Sequence, residues 1–262
     1  MPDTERLVGI TFAKQFPNPA EPLRGLFVAE QVRATASRVD WRIVAPVPWA
    51  PAWLARMLGK PYVRGDGSFD EIPVARPRYP VLPARLLFTA VAPAMALASR
   101  RAFAESAEAG AAFVHAHDIY PSGAAVRRLA TPVRLPVVLT VHGSDLYSNL
   151  VRPRWEAEVR ASIAAAAAIV CVSAALARDV VLLAGADPAR VVVIPDTYDV
   201  ARFAFTERPD RSGRPLRLVT VGRLVPVKGH DVLIRALAHA VRAGLDATLE
   251  VVGGGPDRDA LE

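Results

Sequence analysis

Short apolar runs rich in Val and Ile alternate along this chain with longer stretches whose apolar residues recur at helical spacing. The runs predict strands near Leu7–Ala13, Trp41–Ala45, Ala111–His115, Val137–Val141, Ile169–Val172, Val191–Ile194, Leu216–Val221 and Thr248–Val252. The longer stretches predict helices over Gly25–Arg38, Ala84–Glu108, Ser122–Ala130, Pro153–Ala167, Ala174–Ala184 and Asp231–Ala243. Strand followed by helix, repeated, is the rhythm of a parallel sheet, and strands apolar at nearly every position are covered on both faces. The segment Pro46–Pro83, rich in Pro, Gly and Trp, is expected to be a long loop with little regular structure.

The rhythm breaks once. "RFAFTERPDRSGRPLR" (Arg202–Arg217) is polar and carries Pro209, Gly213 and Pro215, which marks a linker. Residues 1–201 then form a doubly wound domain, 202–215 the linker, and 216–262 the beginning of a second domain. That beginning has two strands, one helix and the first turn of another. Its helix covers one face of the small sheet and leaves the other bare, so the chain reads as cut short.

Composition narrows the partners. The formal charge of +6 comes from 32 Lys and Arg against 26 Asp and Glu, and the only lysines are Lys14, Lys60 and Lys228. The basic residues are scattered rather than gathered into a run or recognition helix, which argues against nucleic acid and suits an anionic small molecule or membrane surface. One cysteine, Cys171 in "AIVCVS", excludes a disulfide or a cysteine metal site and is expected in the core. No export signal stands at the N-terminus, so a cytoplasmic protein is expected. "LLFTAVAPAMALA" (Leu86–Ala98) is too short to span a bilayer and holds Pro93, so it reads as a core helix. A peripheral contact with the inner face of the membrane, beside Arg100 and Arg101, remains the alternative.

In open α/β sheets a ligand sits beyond the carboxyl ends of the strands. The polar residues at those ends are His117 and Asp118 after "FVHA", His142 after "VVLTV", Ser173 after "IVCV", and Arg223 and Lys228 after "LVTV". In "TVGRLVPVKGHD" a strand exit, two cations, Gly229 and a helix start follow one another. A diphosphate is the ligand that uses side-chain cations and a helix N-terminus together. Taken singly, Arg223 and Lys228 could be solvated loop charges, and His142 a structural histidine. Gly253–Gly255 is not a GxGxxG motif, because position 258 is Arg, and by itself means a close turn. His115 is expected in the core and His239 on the surface. No HExxH, Walker lysine or G-x-S-x-G elbow is present, so neither a metal site nor a serine nucleophile is expected.

These residues resemble a known family. "LVTVGRLVPVKGHDVLIRALAHAV" with "LEVVGGGPDRDALE" is similar to the second domain of the retaining glycosyltransferase family 4, and "FPNPAEPLRGLFVAEQV", "HAHDIYPSG", "LTVHGSDLY" and "CVSAALARDVVLLAGADPARVVVIPD" are similar to its first domain, in the same order. The resemblance implies a GT-B fold, two Rossmann-like parallel-sheet domains with the second incomplete here. It implies transfer of a sugar from a nucleotide-diphosphate-sugar to a glycan or lipid-linked acceptor, as in cell-surface polysaccharide or glycolipid synthesis, with no metal or other cofactor. It also implies roles. Arg223, Lys228 and the Gly25 loop would hold the donor diphosphate, and His142 would stand near the transferred sugar as the catalytic residue. His117, Asp118 and Ser173, from their strand-end positions, are expected to meet the acceptor or line the cleft. The family's Ile-Pro-Asn-Gly-Val-Asp is replaced by Ile194-Pro-Asp-Thr-Tyr-Asp199, which removes a glycine from the hinge. The family's paired glutamates and nucleoside-gripping helices would lie beyond Glu262. A sugar-nucleotide-binding protein without catalysis, and another GT-B enzyme such as a nucleotide-sugar epimerase, are the alternatives.

Overall fold

The computed structural model describes residues 6–51, 53, 65–80, 88–150, 153–196, 198, 200, 203–207 and 215–262. The chain divides into two compact units, Met1–Phe203 and Ala204–Glu262. Of the expected linker, residues 202 and 208–214 lie outside the described residues.

The first unit is built on an eight-stranded sheet. In chain order its strands are β1 (Leu7–Ala13), β2 (Val39–Val44), β4 (Gly67–Phe69), β5 (Ile72–Ala75), β7 (Phe113–His117), β8 (Val137–Val141), β9 (Ala168–Cys171) and β10 (Val191–Val193). A separate parallel pair, β3 (Val47–Trp49) and β6 (Arg78–Pro80), stands beside it. The main sheet runs β10-β9-β8-β7-β1-β2-β5-β4, parallel throughout except for the β4–β5 hairpin. Six helices belong to this unit among the described residues: α1 (Leu26–Thr35), α2 (Val91–Glu108), α3 (Ala124–Val133), α4 (Ser144–Leu150), α5 (Pro153–Ala165) and α6 (Ala174–Ala184).

Alternation along the central strands sends side chains to two cores. Ile10 and Phe12 of β1 join Val114, Leu139, Val141 and Ile169 beneath α2, α3, α5 and α6. Ala13 joins Phe16, Trp41 and Ile43 against Val28, Ala29 and Val32 of α1. The central strand is therefore buried on both faces, from Gly9 to Ala13. Cys171 is buried in the first core, and burial pushes its thiol up to about 11.

Local chemistry fixes the helix ends. Ser173 caps α6 by accepting the Leu176 N–H at 3.2 Å. Gly185 closes the same helix at φ 75°, and the N–H groups of Gly185 and Ala186 return to the carbonyls of Val181 and Val180. Glu158 of α5 draws α3 close, with Arg127 at 3.1 Å and Arg128 at 2.6 Å. The two guanidiniums, Arg128 first, hold its carboxyl below the usual range.

Two expectations change. The segment read as an irregular loop contains β3, β4, β5 and β6, which are three or four residues long and carry Pro48, Pro73 and Pro80. Pro48 and Pro80 lie in the two-stranded β3–β6 pair, and Pro73 pairs only with β4 because β2 meets β5 at Val74 and Ala75 alone, so one side of the chain at each proline needs no ladder bond. The helix expected from Ala84 begins at Val91 after a tight turn over Phe88–Ala90, while residues 84–87 lie outside the described residues. No helix among the described residues is long and apolar enough to cross a membrane.

The second unit holds β11 (Leu216–Val221), α7 (His230–Arg242), β12 (Ala247–Val252) and the short α8 (Arg258–Leu261). The strands pair in parallel, Leu216 opposite Ala247 through Val221 opposite Val252. Helix α7 packs along β12, and Val219 and Val221 remain exposed on the sheet.

Candidate functional site

Strand order turns at β1, whose neighbours β7 and β2 continue in opposite directions through the sheet. Parallel α/β sheets open a crevice beside such a point, past the carboxyl ends of the strands. Here it is a cleft of about 220 Å³ lined by Lys14 and Gln15 after β1, Phe27 and Val28 of α1, His117, Asp118 and Tyr120 around the end of β7, and His142, Ser144, Asp145, Ser148 and Asn149 after β8.

Gly25 makes the α1 wall possible. It sits at φ 65°, ψ 29°, and a Cβ there would overlap the carbonyl of Gln15. Only glycine combines left-handed geometry with so close a backbone approach. The chain can then fold back onto β1 and start α1 at the cleft, where Phe27 lies against His142 with ring centroids 4.6 Å apart.

Three imidazoles line up across β7 and β8. His115 and His117 are 4.2 Å apart between centroids, and His117 stacks on His142 at 5.8 Å with 21° between planes. His115 Nε2 pairs with Thr140 Oγ1 at 2.7 Å. Burial first, and then the neighbouring His142, pull the His115 pKa down to about 4, and His117 falls well below its ordinary value by burial and by its two neighbours. Both ring nitrogens of His117 and Nε2 of His142 are buried without a hydrogen-bond partner among the described residues. Buried polar groups are normally paired, so these ring nitrogens are placed to meet a hydrogen-bonding group of a ligand such as a hydroxyl.

Two carboxylates frame the histidines. Asp118 adopts φ 78°, ψ 144°, a region costly for a residue with a Cβ. Its oxygens accept the Ser122 N–H at 3.0 Å and the Ser122 hydroxyl at 2.9 Å, and the Lys14 ammonium lies 3.5 Å away. Asp145, 7% exposed, accepts the His142 N–H at 3.0 Å and the Ile119 N–H at 2.8 Å. Burial, with the Asp118 charge second, raises its pKa, while the Ile119 N–H works the other way.

In the second unit, Arg223 and Lys228 are exposed and form no ion pair among the described residues. Gly229, at φ 65°, ψ 26°, opens α7 directly after them. His230 is buried at the start of that helix, with Nε2 3.2 Å from the Arg223 carbonyl oxygen. A Cβ on Gly253 or Gly255 would overlap the backbone carbonyls of Gly222 or Leu224, so the loop after β12 lies directly on the loop carrying Arg223. The Leu224 N–H donates to the Gly254 carbonyl at 3.0 Å. Two cations and a helix N-terminus thus stand at the carboxyl end of β11 on a loop braced from below.

Of the residues expected from the sequence, His117, Asp118 and His142 share the cleft, and Gly25 builds its wall. Ser173 does not line it; its hydroxyl is spent capping α6. Arg223 and Lys228 belong to the other unit. Lys14, Phe27, Asp145 and Asn149 line the cleft without having been expected, although Asp145 three residues after His142 is the spacing of a helix-capping carboxylate. Among the described residues no group of three or more His, Cys, Asp or Glu is placed to hold a metal ion.

A doubly wound unit with a polar cleft at its strand ends, followed by a second β-α-β series, is the arrangement of GT-B proteins. Solved structures agree on the fold. Alr3699/HepE from Anabaena in complex with UDP and glucose aligns with TM-score 0.58 at 16% identity, over 97% of this chain and 63% of that one. The catalytic domain of starch synthase IV from Arabidopsis thaliana bound to ADP and acarbose aligns with TM-score 0.60 at 15% identity, over 96% of this chain and 69% of that one. In sequence, the Bacillus subtilis (strain 168) protein TuaC, named as a teichuronic acid biosynthesis glycosyltransferase, is 31% identical over 94% of this chain and 65% of its own length. The family model of Glycosyltransferase Family 4 matches residues 63–202, and the chain belongs to that family. It spans about two thirds of the length of these relatives.

Proposed function

We propose that the protein transfers a sugar from a nucleotide-diphosphate-sugar to a glycan or lipid-linked acceptor in cell-surface polysaccharide or glycolipid synthesis, with retention of configuration and without a metal. The observation that carries this reading is the pair of exposed cations, Arg223 and Lys228, without an ion pair among the described residues, on a braced loop beside the N-terminus of α7. Breaking a sugar–phosphate bond leaves negative charge growing on the departing diphosphate, and fixed cations stabilise it most where it develops. Two basic side chains and the amides opening α7 fill the role a divalent ion would otherwise take.

The first unit carries the remaining candidate residues. In this reading His142, packed between Phe27 and His117, serves the transferred sugar, and Asp118 and His117, which line the cleft, serve the acceptor. In same-face transfer the leaving phosphate accepts the proton of the acceptor hydroxyl, so the cleft needs no separate general base. The named neighbours that hold UDP with glucose, and ADP with acarbose, support a sugar nucleotide as donor.

The test uses the intact protein with UDP-glucose, ADP-glucose and GDP-mannose, following release of the nucleoside diphosphate. Arg223→Ala and Lys228→Ala should each slow turnover by about 10²–10³-fold, with smaller changes in donor KM. Unchanged turnover in both variants would remove the assigned roles. Sugar isomerisation with no transfer would favour an epimerase.

A further inference from the structure

We propose that Asp145 is the positioning residue of the cleft: its carboxylate clamps the His142 backbone to the loop carrying Asp118, and so sets where the two site residues stand relative to each other. The inference rests on the functional reading above for His142, and goes beyond it in naming what holds that residue.

The geometry points past a simple helix cap. Oδ1 accepts the His142 N–H three residues back, at 3.0 Å, which is the local bond a first-turn acid makes to its own helix entry. Oδ2 reaches across to the Ile119 N–H, 26 residues away in sequence and on a different strand's exit loop, at 2.8 Å. A cap has no need of this second bond. Ile119 directly follows Asp118, whose backbone is held at φ 78°. The same side chain therefore ties both loops, and the Asp145 carbonyl accepts Asn149 Nδ2 at 2.6 Å, fixing the helix from which the clamp projects. A buried carboxylate with two N–H donors and no ion pair among the described residues is retained for its acceptor geometry.

Asp145→Asn keeps the shape but turns one acceptor into a donor, so one of the two bonds must break. Asp145→Glu keeps the charge and displaces it by one methylene, and serves if the amide variant folds poorly. The control is Phe103→Leu in α2, a buried change remote from the cleft that lowers stability for packing reasons alone. Ring ¹⁵N–¹H spectra of His142 and hydrogen exchange at the Ile119 amide are read first, with no substrate needed. The clamp predicts that the Asp145 variants shift the His142 ring signals and speed Ile119 exchange about tenfold or more, while Phe103→Leu moves neither. Unmoved His142 signals in both Asp145 variants overturn the proposal.

Turnover is then measured with whichever of the three sugar nucleotides the intact protein consumes, alongside His142→Ala. Displacement of a site residue by about 1 Å can cost 10²-fold, so Asp145→Asn should lose about 10- to 100-fold in kcat with donor KM little changed. Full kcat in Asp145→Asn beside a disabled His142→Ala also overturns it. A fully active His142→Ala instead defeats the functional reading of His142, and the spectra still decide the clamp.

Discussion

Gly25 offers a sharp test of how the cleft is built, because the first unit contains a matched control. Gly25 sits at φ 65°, ψ 29°, and Gly185, at the end of α6, at φ 75°, ψ 31°. Alanine at either position meets the same left-handed penalty, about 1–2 kcal/mol. The surroundings differ. A Cβ at Gly185 would meet only the flexible end of Arg160, 3.5 Å away, whereas at Gly25 it would overlap the main-chain carbonyl of Gln15. Backbone cannot swing aside as a side chain can, so overpacking should add about 1–3 kcal/mol at Gly25 alone. Gly25→Ala is thus expected to be less stable than Gly185→Ala by that amount, or about 2–4 °C in Tm for each kcal/mol in a unit of this size. Thermal and urea unfolding of the two variants, followed by the tryptophans of the first unit, read the difference. Equal losses would refute the close approach of Gln15 and the reason given for glycine at this turn.

Further outcomes follow from the same contacts. His115 has a folded pKa of about 4 against 6.5, so the unfolded chain binds more protons between those values and stability falls as pH drops through that window. The loss should reach about 3 kcal/mol by pH 4, and His115→Gln should flatten the slope in urea melts at stepped pH; an unchanged slope would count against the buried neutral imidazole. Glu158→Gln should cost about 1–2 kcal/mol by weakening both guanidinium contacts between α3 and α5. A melt equal to that of the parent protein would show the cluster to be inert.

The sequence and the structure agree most closely where one signal dominates. β1, β8 and β11 have the expected bounds because each is a run dominated by Val, Leu, Ile and Phe that ends at a polar or glycine residue, Lys14, His142 or Gly222. α6 was equally legible, with serine before it and glycine after. The Pro46–Pro83 segment was not. Strands of three or four residues containing proline carry too few positions to show alternation, and they exist because β2 and each other offer a ladder. In the site, strand-end positions located His117, Asp118 and His142, since a strand's end is where a side chain escapes the core. Ser173 satisfied that same rule yet became a cap, because a helix begins immediately after it. Asp145 and Lys14 escaped notice for the opposite reason. Their partners, Ile119 and Asp118, are distant in sequence and meet them only once the sheet has formed.

The most direct test of the central claim is a transfer reaction in the intact protein, in the presence of EDTA, with the product's anomeric configuration read by proton NMR. The account predicts transfer that survives chelation, a product with the donor's configuration, and loss of both in the Arg223→Ala, Lys228→Ala double variant. Transfer abolished by EDTA, or an inverted product, would contradict it.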